Sequence, residues 1–318
     1  VLERVKDSQK ITDFLEIRSQ LSKTSTAKYD KMLTCVCGDH RIHGLTQFYG
    51  ANRTGRWAGR LVQMQNLPQN KLPDADLDNA RELVKAGEYE AFQALYDPKV
   101  TLSQLIRTAF VPRPGCKFIV ADFSAIEARV LAWLAGETWR LDVFSTHGKI
   151  YEASAEKMFH LAPGSVKKGD PMRQKGKIAE LALGYGGSVG ALKSMGALDM
   201  GLEEEELKPL VDQWRAANPH ITGFWWDADE AFRKLLTAVP FYSLRGNLSL
   251  RRQGPLLRLR LPSGRELSYV RPRLIFEPHG RESITYEGII QARGWGRMET
   301  YGPKIVENIV QATARDCL

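Results

Sequence analysis

"KFIVADFSAIEARVLAWLAGE", residues 117–137, changes its hydrophobic period part-way along. Lys117 to Phe123 is a short apolar run introduced by the turn-forming "PRPG", and an unbroken run of this kind predicts a buried strand. From Ser124 onward Ile126, Val130, Trp133 and Leu134 recur at helical spacing, and Gly136 follows as a stop. A helix with one apolar stripe is therefore predicted. Asp122 falls where the strand ends and the helix begins. Ligand sites of open sheets gather at such carboxyl ends, which makes Asp122 a candidate metal ligand. A loop acid with no ligand has the same local pattern. Glu127 is equally two-sided, because Ser124 and Glu127 satisfy the S-x-x-E capping box, in which the glutamate reaches back to the backbone N–H of the cap.

The second informative stretch is "DPMRQKGKIAELALGYGG", residues 170–187. Asp170 suits an N-cap and Pro171 the first helical position, where a missing N–H costs nothing. Arg173, Lys175 and Lys177 follow within two turns, with Lys167 and Lys168 just upstream. A helix start carries partial positive charge, so each cation there costs roughly 0.3–1 kcal/mol unless an anion compensates it. Arg173, Lys177, Leu181 and Tyr185 stand four apart, each turned about 40° from the last, and form one slowly spiralling stripe. The stripe passes from two cations to an aliphatic and an aromatic residue, which suits phosphates at one end and a base at the other. An amphipathic surface helix with solvated cations has the same pattern. Gly184, Gly186 and Gly187 make a poor helix but let a backbone or a base come close, and Gly176 should weaken the helix by about 0.5–1 kcal/mol relative to Ala. No GxxxxGK[ST] is present, so a phosphate site of the Walker A kind is excluded.

Composition narrows the class. The chain has 318 residues, of which 43% are apolar and 26% charged, a balance that describes a globular protein large enough for two or three subdomains. No run approaches the ~18 apolar residues of a membrane span, and the first twenty are charged rather than signal-like, so a soluble cytoplasmic protein is expected. Four cysteines suggest no disulfide framework. The formal net charge of +8 favours a polyanionic partner. Cations concentrate in 165–177 and in 245–273, "RGNLSLRRQGPLLRLRLPSGRELSYVRPR", where apolar and basic residues alternate about a Pro-Ser-Gly turn. That alternation predicts a hairpin with one wet basic face, either merely solvated or a phosphate track. Cys35, Cys37, His40 and His43 invite a zinc reading. Their spacing fits no zinc finger, and cysteines two apart on a strand point to opposite faces, so none is expected. A helical pattern at the start (Val5, Ile11, Phe14, Leu15) and a final helix opened by Pro303 with no closing Gly, Asn or Pro suggest a piece cut from a longer chain.

Taken in order, these segments resemble the family A DNA polymerases, most closely the short bacteriophage-type members. "RTGRWAGRLVQMQNLPQ" (53–69) is similar to the family's T-G-R…Q-N-I-P segment, "DFSAIEARVLAWLAGE" to motif A, "RQKGKIAELALGYGG" to motif B, and "VQATARDCL" to the helix that precedes motif C. The resemblance implies an α+β right-hand polymerase fold, with an antiparallel palm sheet and helical fingers. Residues 1 to about 55 would be thumb, about 56–139 and 290–318 palm, and 140–289 fingers. Asp122, with the backbone carbonyl of Phe123, would help to hold two Mg²⁺ for nucleotidyl transfer. Arg173 and Lys177 would grip the incoming triphosphate, and Lys177 could protonate the leaving pyrophosphate. Leu181 would lie by the sugar and base, Tyr185 near the templating base and Tyr151 near the triphosphate. Glu127 would crowd the sugar 2′ position and so select dNTPs. Arg56, Arg107 and Gln311 would contact the primer–template DNA without reading its sequence. A monomer in a bacterial host, of phage or prophage origin, is the implied setting.

The departures from the family pattern carry expectations of their own. Leu181 replaces an aromatic common in relatives, and Tyr151 stands where polymerase I types carry His. The H-D-E turn of motif C, which would bring the second aspartate, is not in the sequence. The resemblance therefore implies a DNA polymerase whose present 318 residues give no primer extension by themselves. Two rival classes remain open here: a single-subunit RNA polymerase-like nucleotidyl transferase, and a noncatalytic DNA-binding protein.

Overall fold

A computed structural model of the chain describes residues 10–11, 14–15, 18, 27–276, 280, 282–290 and 294–318. Val5, with most of the expected N-terminal helix, lies outside these residues, although Ile11, Phe14 and Leu15 are helical. The chain divides into two compact units, the first comprising Val1–Gly50 and Trp57–Ala121 and the second Ala51–Arg56 and Asp122–Leu318.

In the first unit α1 (Ala27–Cys35) is followed by β1 (Thr46–Gln47) and β2 (Ala58–Gly59), which pair antiparallel. Helices α2 (Asp74–Ala86), α3 (Tyr89–Leu95) and α4 (Pro98–Leu105) complete it. Gly87 closes α2 in the left-handed conformation, and Asp97 caps α4 by accepting from the Val100 N–H at 2.8 Å. Met32, Val62, Leu67 and Ile106 form one apolar cluster, and Leu77, Ala80, Phe92 and Leu105 another. Cys35 is the last residue of α1 rather than part of a strand, because the helix runs on through it. His43, one of the four residues of the zinc reading, pairs with Asp39 at 2.9 Å.

From Asp122 onward the second unit contains α5 (Ile126–Ala135), α6 (Thr138–Thr146), α7 (Ile150–Met158), α8 (Pro171–Leu183), α9 (Val189–Ser194), α10 (Glu204–Ala217) and α11 (Pro219–Thr237). A six-stranded antiparallel meander follows: β3 (Phe241–Leu244), β4 (Leu248–Gln253), β5 (Leu256–Arg260), β6 (Glu266–Phe276), β7 (Glu282–Ile290) and β8 (Gly294–Thr300). The closing helix α12 (Gly302–Asp316) buries Ile305, Val306, Ile309, Val310 and Ala312 completely. One core joins helices and sheet. Trp214 stacks on Trp225 at 6.2 Å, and Phe232 meets Tyr269 edge-on at 4.9 Å. The hairpin expected across 245–273 is present as β4–β5–β6.

Three local expectations need correction. Residues 117–123 are extended but form no strand, with Phe118, Ile119 and Val120 exposed by 61%, 85% and 91%. A strand needs a neighbour to complete its hydrogen-bond ladder, and among the described residues none pairs with this run. Its apolar content was read correctly, while its burial depends on a partner that the local pattern does not reveal. The helix after it starts at Ile126 rather than Ser124, since Ala125 takes a left-handed conformation (φ 52°) and no side chain caps the end. Trp133 is half exposed, whereas Val130, Leu131, Leu134 and Ala135 are buried. Pairs at i, i+1, i+4 and i+5 define the packed face, and Trp133 lies outside it.

Candidate nucleotide site

Helix α8 forms as its sequence suggests. The Asp170 carboxylate accepts from the Met172 N–H at 2.8 Å and Pro171 occupies the first turn. Ile178, Ala179 and Leu183 are buried. Gly176 is explained by packing: a Cβ there would lie 2.2 Å from the Tyr151 carbonyl oxygen and 3.0 Å from the Ala155 nitrogen, so only Gly lets α7 and α8 approach so closely. The helix ends at Leu183, and Tyr185 follows on the turn beyond it rather than on the helix. In that turn Gly186 has φ +76°, and a Cβ on it would meet the Pro303 ring at 2.6 Å. The glycines here serve chain reversal and contact with α12.

The cations of α8 have separate fates. Arg173 Nε donates to Glu152 Oε1 at 2.7 Å, and its guanidinium lies 5.5 Å from the Tyr151 ring centroid. Burial works to raise the Glu152 carboxyl, and Arg173 outweighs it, so that carboxyl is held below its usual range. Lys175 is paired with Glu206 at 2.5 Å. Lys177 is half-buried and, among the described residues, has no carboxylate partner. Leu181, one turn further along, is half exposed.

Glu127 is not a cap. Its carboxylate accepts from Arg56 Nη1 at 3.0 Å and from the Tyr185 hydroxyl at 3.1 Å. Burial raises the Tyr185 phenol, and the charge of Glu127 raises it further, so it donates as a neutral hydroxyl. Glu127, Tyr151, Leu181 and Tyr185 all line one pocket of about 290 Å³, together with Leu131 and Gly184. Six of the expected site residues are thus brought together around α8 and the start of α5, with Arg173 against Tyr151 and Arg56 against Glu127.

The remaining expected residues stand elsewhere. Asp122 and Phe123 are exposed in the segment before α5. Gln311 Nε2 donates to Glu307 Oε1 at 3.3 Å on α12. In the first unit, Arg107 donates to the Pro68 carbonyl at 2.7 Å and the Leu67 carbonyl at 2.8 Å.

The pocket floor holds a buried pair that the motifs did not indicate. Glu180 accepts from Arg140 through both carboxylate oxygens, from Ser154 Oγ at 2.8 Å and from Trp214 Nε1 at 3.0 Å. Arg140 Nη1 also donates to Asn218 Oδ1 at 3.0 Å. The available signal was Glu180 itself, a carboxylate set between Ala179 and Leu183 in the packed stripe of α8. Its cationic partner lies 40 residues away and is not visible in local pattern.

The mixed helix and antiparallel-sheet fold is shared with a known polymerase domain. The POL domain of Pol1 from M. smegmatis, solved in complex with DNA primer-template and dNTP, matches with a TM-score of 0.50 at 18% identity, over 92% of this chain and 37% of that one. At that identity the likeness defines the class, a DNA polymerase fold. The sequence profile of DNA polymerase family A matches residues 1–242. The chain belongs to DNA polymerase family A. It is 57% identical over 306 residues to the DNA polymerase of Bacillus phage SP02, covering 96% of this chain and 47% of that protein. It is 26% identical over 231 residues to DNA polymerase I of Bacillus subtilis, covering 72% of this chain and 22% of that protein. The chain thus spans about half the length of its phage relative and less of the bacterial one. No helix among the described residues is long and apolar enough to cross a membrane.

Proposed function

We propose that this chain supplies the nucleotide-binding part of a template-directed DNA polymerase, which transfers dNMP to a primer 3′-hydroxyl during DNA replication. The observation that carries this reading is Glu127. A glutamate that local pattern assigns to a capping box is instead held between Arg56 and Tyr185 in a pocket that Leu181 and Tyr151 also line. A carboxylate held on two sides cannot swing aside freely, so it would crowd a ribose 2′-hydroxyl and admit deoxyribose. Lys177, without a carboxylate partner among the described residues, and Arg173 would receive the triphosphate at one end of the stripe. Leu181 and Tyr185 would flank sugar and base at the other.

The division into thumb (1 to about 55), palm (about 56–139 and 290–318) and fingers (140–289) belongs to this proposal, as do DNA contacts by Arg56, Arg107 and Gln311. Two of the five guanidinium donors of Arg107 are engaged with carbonyls, which leaves others for DNA. Mg²⁺ prefers six oxygen ligands, and Asp122 with the Phe123 carbonyl would give two. Among the described residues no cluster of three metal-ligating side chains forms. The residues present do not amount to a two-ion site.

Titrating the chain with dATP and with ATP tests this reading. The native chain should bind dATP in preference, and Glu127→Ala should narrow that preference by at least about ten-fold, the order expected when one small group decides fit. An unchanged ratio would remove Glu127 from sugar selection.

A further inference from the structure

The sheet carries a basic face that the pocket does not use. Residues directly opposite on paired strands point to the same side, and the register sets Phe241, Arg251, Arg258 and Ser268 in one row. Ser243, Ser249, Arg260 and Glu266 form the next row on that side. The opposite side carries Leu250, Leu257, Leu259, Leu267 and Tyr269, all buried in the core. The first face is therefore the outer one, and it is rich in arginine.

Its charge is poorly compensated. Glu266 is shared by Arg251 at 3.0 Å and Arg258 at 3.9 Å. Arg258 also donates to Ser268 Oγ at 2.6 Å, while its buried Nε, the atom facing Glu266, makes no hydrogen bond. Arg260 is exposed, and no ion pair or side-chain hydrogen bond is found for it among the described residues. Neighbouring strands lie about 4.8 Å apart and alternate residues on a strand about 6.7 Å apart, so three guanidinium groups crowd a small area against one carboxylate. Phe241, opposite Arg251 on the edge strand, exposes 56% of its surface. The open ring beside cations offers a face on which a planar group can stack.

We propose that this outer face of β3–β6 binds single-stranded DNA. Phosphates would lie on Arg251, Arg258 and Arg260, and an unpaired base would stack on Phe241. The serine hydroxyls can hydrogen-bond to the backbone and read no sequence. Charge complementarity selects a polyanion, and the exposed ring selects one whose bases are free, since stacking platforms are the mark of single-strand binding. A duplex hides its base faces and would gain only the arginines.

The test is fluorescence anisotropy of the 318-residue chain with a labelled oligodeoxythymidine of about 20 nucleotides, long enough to cover such a site, over a salt series. Each phosphate neutralised on a single strand contributes about 0.7 to the slope of log K against log salt. The triple variant Arg251→Ala, Arg258→Ala, Arg260→Ala should flatten the slope by about 2. Arg260→Ala alone, at a side chain with nothing to lose inside the protein, should flatten it by about 0.7, which keeps the proposal testable if the triple variant fails to fold. Phe241→Ala should weaken single-strand binding about ten-fold with the slope unchanged and leave binding to a duplex of equal length unaltered. Titration with dATP should be unchanged in all variants, which separates this face from the pocket. Wild-type slopes in Arg260→Ala, or equal loss of duplex and single-strand binding in Phe241→Ala, would overturn the proposal.

Discussion

Glu127 shows how one side chain can satisfy a local rule on paper and obey a distant partner instead. With Ala125 left-handed, the backbone geometry of a capping box is lost, and the carboxylate turns to Arg56 and Tyr185. The pair with Arg56 is half exposed, so its contribution to stability is small, at most about 1 kcal/mol. Glu127→Gln should therefore leave chemical denaturation almost unmoved. It should lower the Tyr185 phenol only part of the way back, because burial is the larger cause of its rise; near-UV titration against Tyr185→Phe reads this directly. Helical spacing alone set Leu181 and Tyr185 on one stripe, and the family resemblance added Glu127 and Tyr151; all four line the same pocket. Which oxygen meets which donor was not legible, because Arg56 stands 71 residues from Glu127 and such pairings are written only in three dimensions.

At the scale of elements, α8 is held in two ways. Its close crossing with α7 depends on Gly176, and Gly176→Ala should cost roughly 1–3 kcal/mol or more through overpacking, although Ala is the better helix former; thermal unfolding gives the sign. Its floor depends on the Arg140–Glu180 pair, buried with side-chain exposures of 1% and 5%. Removing one partner strands a charge, so Glu180→Leu should destabilise by about 3–5 kcal/mol, while Arg140→Leu with Glu180→Leu together should cost less than either alone. A double-mutant cycle checks this. The Gly136 stop, the Asp170 cap and the 245–273 hairpin could all be read from sequence because each is fixed by neighbours in the chain. The run 117–123 was misread because an apolar segment reports only that burial is favourable. Whether a strand forms depends on a neighbour to complete its ladder.

For the whole molecule, three tyrosines, Tyr269 buried and Tyr29 and Tyr185 partly so, link stability to alkaline pH. Burial pushes Tyr29 up to about 12, and raises Tyr185 and Tyr269 as well. In the unfolded chain each ionises near pH 10, so above that pH the unfolded state sheds protons that the folded state keeps. Their stabilising share is complete below about pH 10 and is lost as pH rises beyond it. Denaturation midpoints should be flat through neutrality and fall steeply above pH 10, less steeply for Tyr185→Phe. The central claim is that the cations of α8 await a nucleotide, and its most direct test is dATP titration of the native chain beside Lys177→Ala, with thermal unfolding of both. Binding should weaken by ten-fold or more, the order of a charge-assisted contact, while the empty protein unfolds at the same temperature or slightly higher. Unchanged dATP affinity with a clear loss of stability would contradict the account and leave Lys177 a structural residue.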